Sequence, residues 1–174
     1  MDMSQLFALA VSIGGLAVVA SWLFLGPLAA FDMQVWQAFI AWGAFFHNGG
    51  RAGGAAIKTS ACMSLGAVVG MSAVILAGHL QGLGSLAAPV AIGIGVVVFV
   101  LAAHVPTLSV IPCSAYGFSC VGGLILLKQL APTAAIAPTV ASIVIGTAFA
   151  MLSEVIAEFL TNKGQEPKTS RISL

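Results

Sequence analysis

Charged side chains are almost missing from this sequence: Lys and Arg number six and Asp and Glu five, together 6% of 174 residues. A soluble domain carries about 25%. So little charge excludes an ordinary water-exposed globular surface, and a net charge of +1 excludes the basic patch of a nucleic-acid-binding protein. Cysteine is scarce as well. Cys62, Cys113 and Cys120 all fall in apolar segments, spaced neither as CxxC nor as a secreted disulfide framework, and read as small packing residues. Nothing resembles a closed zinc set. A soft copper site built from Cys113, Cys120 and a methionine such as Met63, Met71 or Met151 is the metal alternative those residue types leave open. There is no Gly-rich phosphate loop, no Ser-His-Asp set and no cofactor fingerprint. Enzyme chemistry needs polar groups that this chain hardly has, so neither catalysis nor a cofactor is expected. Asp2 stands where a signal peptide would carry Lys or Arg, and the first apolar run is too long for a signal core.

What the chain has in abundance is apolar length. Sixty per cent of it is hydrophobic, with a mean hydropathy of +1.10. A helix crossing the hydrocarbon needs about 20 apolar residues. Candidate spans cover residues 6–26, ended by Gly26-Pro27; 31–47, short, with Asp32 at its start; 60–80; 85–104; 107–127, interrupted by Pro112; and 134–160. The expected fold is an all-α integral membrane protein of six transmembrane helices, one domain over residues 1–160, followed by a polar tail at 161–174. With six spans, Arg51, Lys58, Lys163, Lys168 and Arg171 share the side of both termini, and Lys128 stands alone across the membrane. The positive-inside rule then puts both termini in the cytoplasm.

The chain also repeats itself. Ala41-Trp42-Gly43, running on to Gly49-Gly50, is echoed by Ala115-Tyr116-Gly117, running on to Gly122-Gly123. Ile13-Gly14-Gly15 matches Ile92-Gly93-Ile94, Pro27 falls on Pro106, and Gly66 to Gly70 lies opposite Ser142 to Gly146. These matches keep their order and suggest two repeats, 6–80 and 84–160. Three spans per repeat force opposite orientations, the inverted-repeat plan of many channels and transporters, with helices two and five short or broken. The competing explanation is chance matching among common Gly, Ala and Val.

A broken helix inside a membrane frees backbone groups that protein or a wet cavity must satisfy, and Pro112 cannot donate a hydrogen bond. On that reading Trp42, Phe45, Phe46, Tyr116 and Phe118 wall a solute pathway, and His47, Asn48, Ser114, Ser119 and Cys120 supply polar contacts. Ordinary packing of the aromatics, with His47 and Asn48 capping a helix, is the alternative. Glu154 and Glu158 share a helix face and suit an interfacial pair with Arg51 or Lys58 better than a proton relay. Asp32, His79 and His104 read as interfacial. Gly66 with Gly70, and Ser142 with Gly146 and Ala150, are small-residue faces that let helices approach closely, within one chain or between chains. A homo-oligomer of closed symmetry is expected.

The function expected from these residues is a passive channel or facilitator for a small neutral or weakly polar solute of the urea, ammonia or short-amide type. A proton-coupled pump normally keeps carboxylates near the midplane, and none is predicted there. The second expectation is a structural or assembly subunit packing on a larger partner through its glycine faces. Lipid, a small solute and further copies of the chain are the expected partners.

Two segments carry a family resemblance. Trp36-Gln37-Ala38-Phe39-Ile40-Ala41-Trp42-Gly43-Ala44-Phe45-Phe46, followed by its Gly-Gly link, resembles the signature region of a family of small bacterial inner-membrane proteins catalogued as a domain of unknown function. Ile111-Pro112-Cys113-Ser114-Ala115-Tyr116-Gly117-Phe118 is similar to that family's second Pro-small-aromatic-Gly segment. The likeness covers roughly residues 6–160. It implies a bacterial inner-membrane location and six helices, and brings no substrate or catalytic residue. At the level of fold alone, the helix–Gly-rich-link–helix pattern is also similar to the urea-channel type.

Overall fold

A computed structural model of the chain describes residues 3–51 and 54–164, and these form helices joined by short links, without strands. Six α-helices follow one another: α1 (Met3–Leu25), α2 (Val35–His47), α3 (Ala55–His79), α4 (Ala87–Ala102), α5 (Ile111–Lys128) and α6 (Ile136–Gly164). Five stretches, Ser4–Leu25, Ala55–His79, Gln81–Ala102, Ile111–Lys128 and Ile136–Asn162, are long and apolar enough to cross a membrane. The exception is α2. Its 13 residues rise about 20 Å, short of the ~30 Å hydrocarbon layer.

Local chemistry sets these boundaries. After α1, Pro27 opens a short 3-10 turn, Pro27–Phe31, which Asp32 closes in the left-handed region at φ 58°. That turn takes up residues expected in the second span and delays α2 to Val35. After α4 the same device recurs, with Pro106 opening the turn Pro106–Leu108. Pro112 does not break α5. It lies in the first turn, where its missing N–H has no intrahelical partner to lose and its fixed φ suits the helix. Val110 O accepts from the N–H groups of Cys113 and Ser114, and α5 continues unbroken for 18 residues. The expected interruption is therefore corrected: helix two is short, helix five is whole. α6 runs to Gly164, past the expected start of the tail. The rest of that tail, with Lys168 and Arg171, lies outside the described residues.

The most extensive packing joins α3 to α5 and α2 to α6, with α1 laid on α6 and α4 on α3. Glycine makes the crossings close. A Cβ at Gly66 would strike the Ser114 carbonyl, one at Gly117 the Met63 carbonyl, and one at Gly146 the Ala38 carbonyl. Lipid tails are as apolar as Leu, so helices in a bilayer gain little from burying oily side chains. They gain from van der Waals contact at short range, which small residues permit. Gly66 and Gly70 are spent inside the chain, against α5.

Helix directions follow from paired residues. Asn48, just past α2, bonds Cys113 near the start of α5, whereas Gln37 near the start of α2 bonds Cys120 further along α5. The two helices therefore run antiparallel. Gln37 meets Thr139 while Trp42 meets Ser153, so α2 and α6 run parallel. Gly66 lies on Ser114 and Gly70 on Phe118 and Val121, so α3 and α5 run parallel too. At the centre, Ala41, Ala44, Cys62, Met63, Cys113, Cys120 and Ile143 form one buried cluster. Phe7, Val18, Trp22, Leu25, Leu126 and Leu127 point outward, the arrangement of a chain whose solvent is lipid.

Candidate functional site between α2 and α5

α2 and α5 meet at two polar points and part between them. At one end the Asn48 side-chain amide donates to Thr59 Oγ1 at 2.8 Å and to Cys113 Sγ at 3.1 Å. At the other, Gln37 Nε2 donates to Cys120 O at 2.9 Å and to Thr139 Oγ1 at 3.4 Å. Each amide ties three helices: α2, α3 and α5 in the first case, α2, α5 and α6 in the second. Such groups are costly in hydrocarbon unless bonded. Among the described residues two buried side-chain oxygens nevertheless make no hydrogen bond, Gln37 Oε1 and Ser114 Oγ.

The aromatic residues divide. Trp42 is buried, stacked on Phe149 (5.7 Å) and Phe39 (5.9 Å), with its Nε1 donating to Ser153 Oγ at 3.2 Å. Ser153 O in turn accepts from Ser12 Oγ at 2.6 Å, joining α1 to the same network. Phe45 is fully buried, with Phe46 edge-on to it. These three are core of the α1–α2–α6 side. Phe118 is half-buried against Phe99 of α4, and Cys120 is core. By contrast His47, Tyr116 and Ser119 are exposed, and they line an open cleft of about 520 Å³ with Phe39, Ile40, Gly43 and Ala44. Of the ten residues expected along a pathway, the structure gathers His47, Tyr116 and Ser119 at one surface, places Asn48 just past α2 in a polar bridge, buries Ser114 with its hydroxyl unpaired, and puts the other five in packing.

A second cleft of about 550 Å³ lies between α3 and α6. Its walls are mostly small: Ala56, Ser60, Ala61, Ser64, Thr147 and Ala148 are among them. Six buried polar side chains among the described residues escaped the sequence reading, namely Ser12, Gln37, Thr59, Thr139, Thr147 and Ser153. Gln37 and Thr139 gave a signal, each a hydrogen-bonding side chain with apolar neighbours, whereas Thr59, between Lys58 and Ser60, read as part of a polar link. No three of His, Cys, Asp or Glu converge among the described residues.

At the link after α2, Glu154 Oε2 accepts the backbone N–H of Arg51 at 2.8 Å, and Arg51 Nη1 bonds Glu158 Oε2 at 2.7 Å. Both members of the side-chain pair are substantially exposed. Glu158→Gln should therefore shift stability by under about 0.5 kcal/mol. Glu154→Gln should cost about 1 kcal/mol, because a charge-assisted bond to backbone is lost. Thermal unfolding in detergent will rank them, and an equal effect would contradict the assignment.

Among curated proteins and solved structures, nothing matches the chain. A family match does extend over residues 10–158, and by it the chain belongs to the family described as a protein of unknown function, DUF1097.

Proposed function

We propose that this protein is a passive facilitator for a small neutral solute of the urea, ammonia or short-amide type, with its pathway at the α2–α5 junction. One observation carries the reading. Among the described residues the buried polar side chains are Ser12, Gln37, Thr59, Ser114, Thr139, Ser142, Thr147 and Ser153, every one of them neutral. A coupled pump needs ionisable groups in its interior; a facilitator of uncharged molecules needs hydrogen-bonding groups without charge. The cleft lined by His47, Tyr116 and Ser119 serves as its vestibule.

The reading includes two inverted repeats and six crossings in a bacterial inner membrane, α2 making a short one, with both termini on the cytoplasmic side beside Arg51 and Lys58. Alternating helix directions support it. So does the packing: exchanging α1 with α4, α2 with α5 and α3 with α6 leaves the pattern of neighbours unchanged. The glycine crossings give the register, since Gly66 on Ser114 answers to Gly146 on Ala38. Thr59 and Cys113 then answer to Thr139 and Gln37, the polar pairs at the two ends. This register differs by one helical turn in the third element, and by two residues in the central one, from the alignment of motifs in sequence. It pairs Trp42 with Phe118 rather than with Tyr116.

Stopped-flow shrinkage of proteoliposomes against urea, acetamide, methylamine and glycerol tests the function. At least one solute should enter several times faster than into protein-free vesicles. Uniform rates equal to empty vesicles would refute it. The second reading, an assembly subunit, rests on the small-walled cleft between α3 and α6, which has room for a partner's side chains. A protein recovered from native membranes in fixed stoichiometry would favour it over the homo-oligomer expected of a facilitator.

A further inference from the structure

Gln37 is fully buried near the start of α2. Its orientation is set by chemistry: a backbone carbonyl only accepts, so the bond to Cys120 O must come from the amide nitrogen. The carbonyl oxygen Oε1 is left pointing elsewhere, buried and without a donor. Leaving such an atom unpaired costs about 1–3 kcal/mol. A residue serving only to tie α2 to α5 and α6 needs only donors, so its tying role does not account for the acceptor.

The second unpaired oxygen, Ser114 Oγ, lies near the sulfur of Cys62, whose thiol donates instead to Thr107 O. On α5 it stands six residues before Cys120, the partner of Gln37, hence about 9 Å along the axis. Ala41, Ala44, Met63 and Ile143 of the apolar cluster belong to the same helix junction. Among the described residues' buried side-chain atoms the interior thus holds one unpaired oxygen that can only accept, Gln37 Oε1, and one hydroxyl, Ser114, that can accept or donate.

We infer that Gln37 Oε1 is the acceptor that selects the solute: it receives an N–H from urea, ammonia or a primary amide, with Ser114 Oγ as the second station. At Gln37 Oε1 a molecule that only accepts hydrogen bonds finds no donor. This rests on the transport reading above, and it assigns the residue that sets its specificity.

Two measurements keep the inference separable from that reading. The first is flux of urea and acetamide against dimethyl sulfoxide, a solute of similar size that only accepts, each corrected for protein-free vesicles. In Gln37→Met the preference for the N–H solutes should fall about tenfold, with flux of dimethyl sulfoxide unchanged. Thr139→Val removes one tying bond and keeps Oε1, and should retain the preference. So should Gln37→Glu, whose neutral acid keeps a carbonyl. The second is infrared difference spectroscopy on protein labelled with 13C at the glutamine side-chain carbonyl. Urea should shift one band to lower frequency, the band absent from Gln37→Met, and dimethyl sulfoxide should not. A shift without any flux upholds the site and refutes transport. No shift, or an equal loss of every flux in Gln37→Met and Thr139→Val, overturns the inference.

Discussion

Gly66→Ala and Gly117→Ala should each destabilise the protein by about 3 kcal/mol or more, far beyond the change in helix propensity. The new methyl group meets backbone, not a side chain that can swing away: Ser114 O in one case and Met63 O in the other. Relief requires α3 and α5 to move apart along their whole contact, which forfeits the dispersion energy that holds helices together in lipid. Gly146→Ala, against Ala38, should behave alike between α2 and α6. Gly14→Ala and Gly78→Ala are the controls. Neither meets an atom within 4 Å, and a helical Ala should stabilise by up to about 1 kcal/mol. Thermal or SDS-induced unfolding of purified protein in detergent measures the series. If Gly66→Ala proves as stable as the unaltered chain, the close crossing is wrong. Because both faces are occupied within the chain, leucine at Gly66 or Gly70 should unfold the protein rather than dissociate an oligomer.

Trp42→Ala should cost about 3–5 kcal/mol, since it removes two ring stacks and the bond to Ser153 that links α2 to α6 and, through Ser12, to α1. Tyr116→Ala should change stability by no more than about 0.5 kcal/mol, because the residue is 40% exposed at the cleft. The two substitutions should separate cleanly: loss of folded protein for Trp42, altered flux in well-folded protein for Tyr116. Folded yield and unfolding temperature, measured beside proteoliposome flux, check both. A stable Trp42→Ala protein with altered flux would return Trp42 to the pathway and move the core elsewhere.

The contrast shows where the sequence was legible. Long apolar runs located five helices well, because a segment in lipid must bond its backbone internally and has no alternative to a helix. The start of α2 was less legible. Asp32 takes a left-handed φ that only neighbouring structure enforces, and a non-glycine residue gives no sign of it. Pro112 was read by its usual effect in a helix interior, while its position as the second residue of α5, just after the N-cap Val110, made it a starter. The two Ala-aromatic-Gly motifs matched in chemistry but not in position. Gly43 borders the open cleft, and Gly117 sits under another helix's backbone. Whether a glycine is a contact or a gap depends on what lies across from it, and for Gly66, Gly117 and Gly146 that partner belongs to another helix, distant in the chain. Gln37 illustrates the same limit. Its burial was not read from the sequence, and which of its two ends would be satisfied depended on Cys120 and Thr139 arriving from α5 and α6.

The pairing of α2 with α6 and of α3 with α5 bears on how the protein is made. Ribosomes deliver the amino-terminal helices first, and these leave the insertion machinery with their principal partners not yet synthesised. Ala38 has no Gly146 beneath it, Gly66 has no Ser114, and the amide of Gln37 has no acceptor. Biogenesis must then pass through a half-chain whose small-residue faces and lone amides are open to lipid or to whatever helix is nearby. The tertiary fold closes only when α6 arrives to meet both α1 and α2. Assembly is therefore a concerted, late event, and during it the nascent chain is open to capture by a chaperone or by another nascent copy.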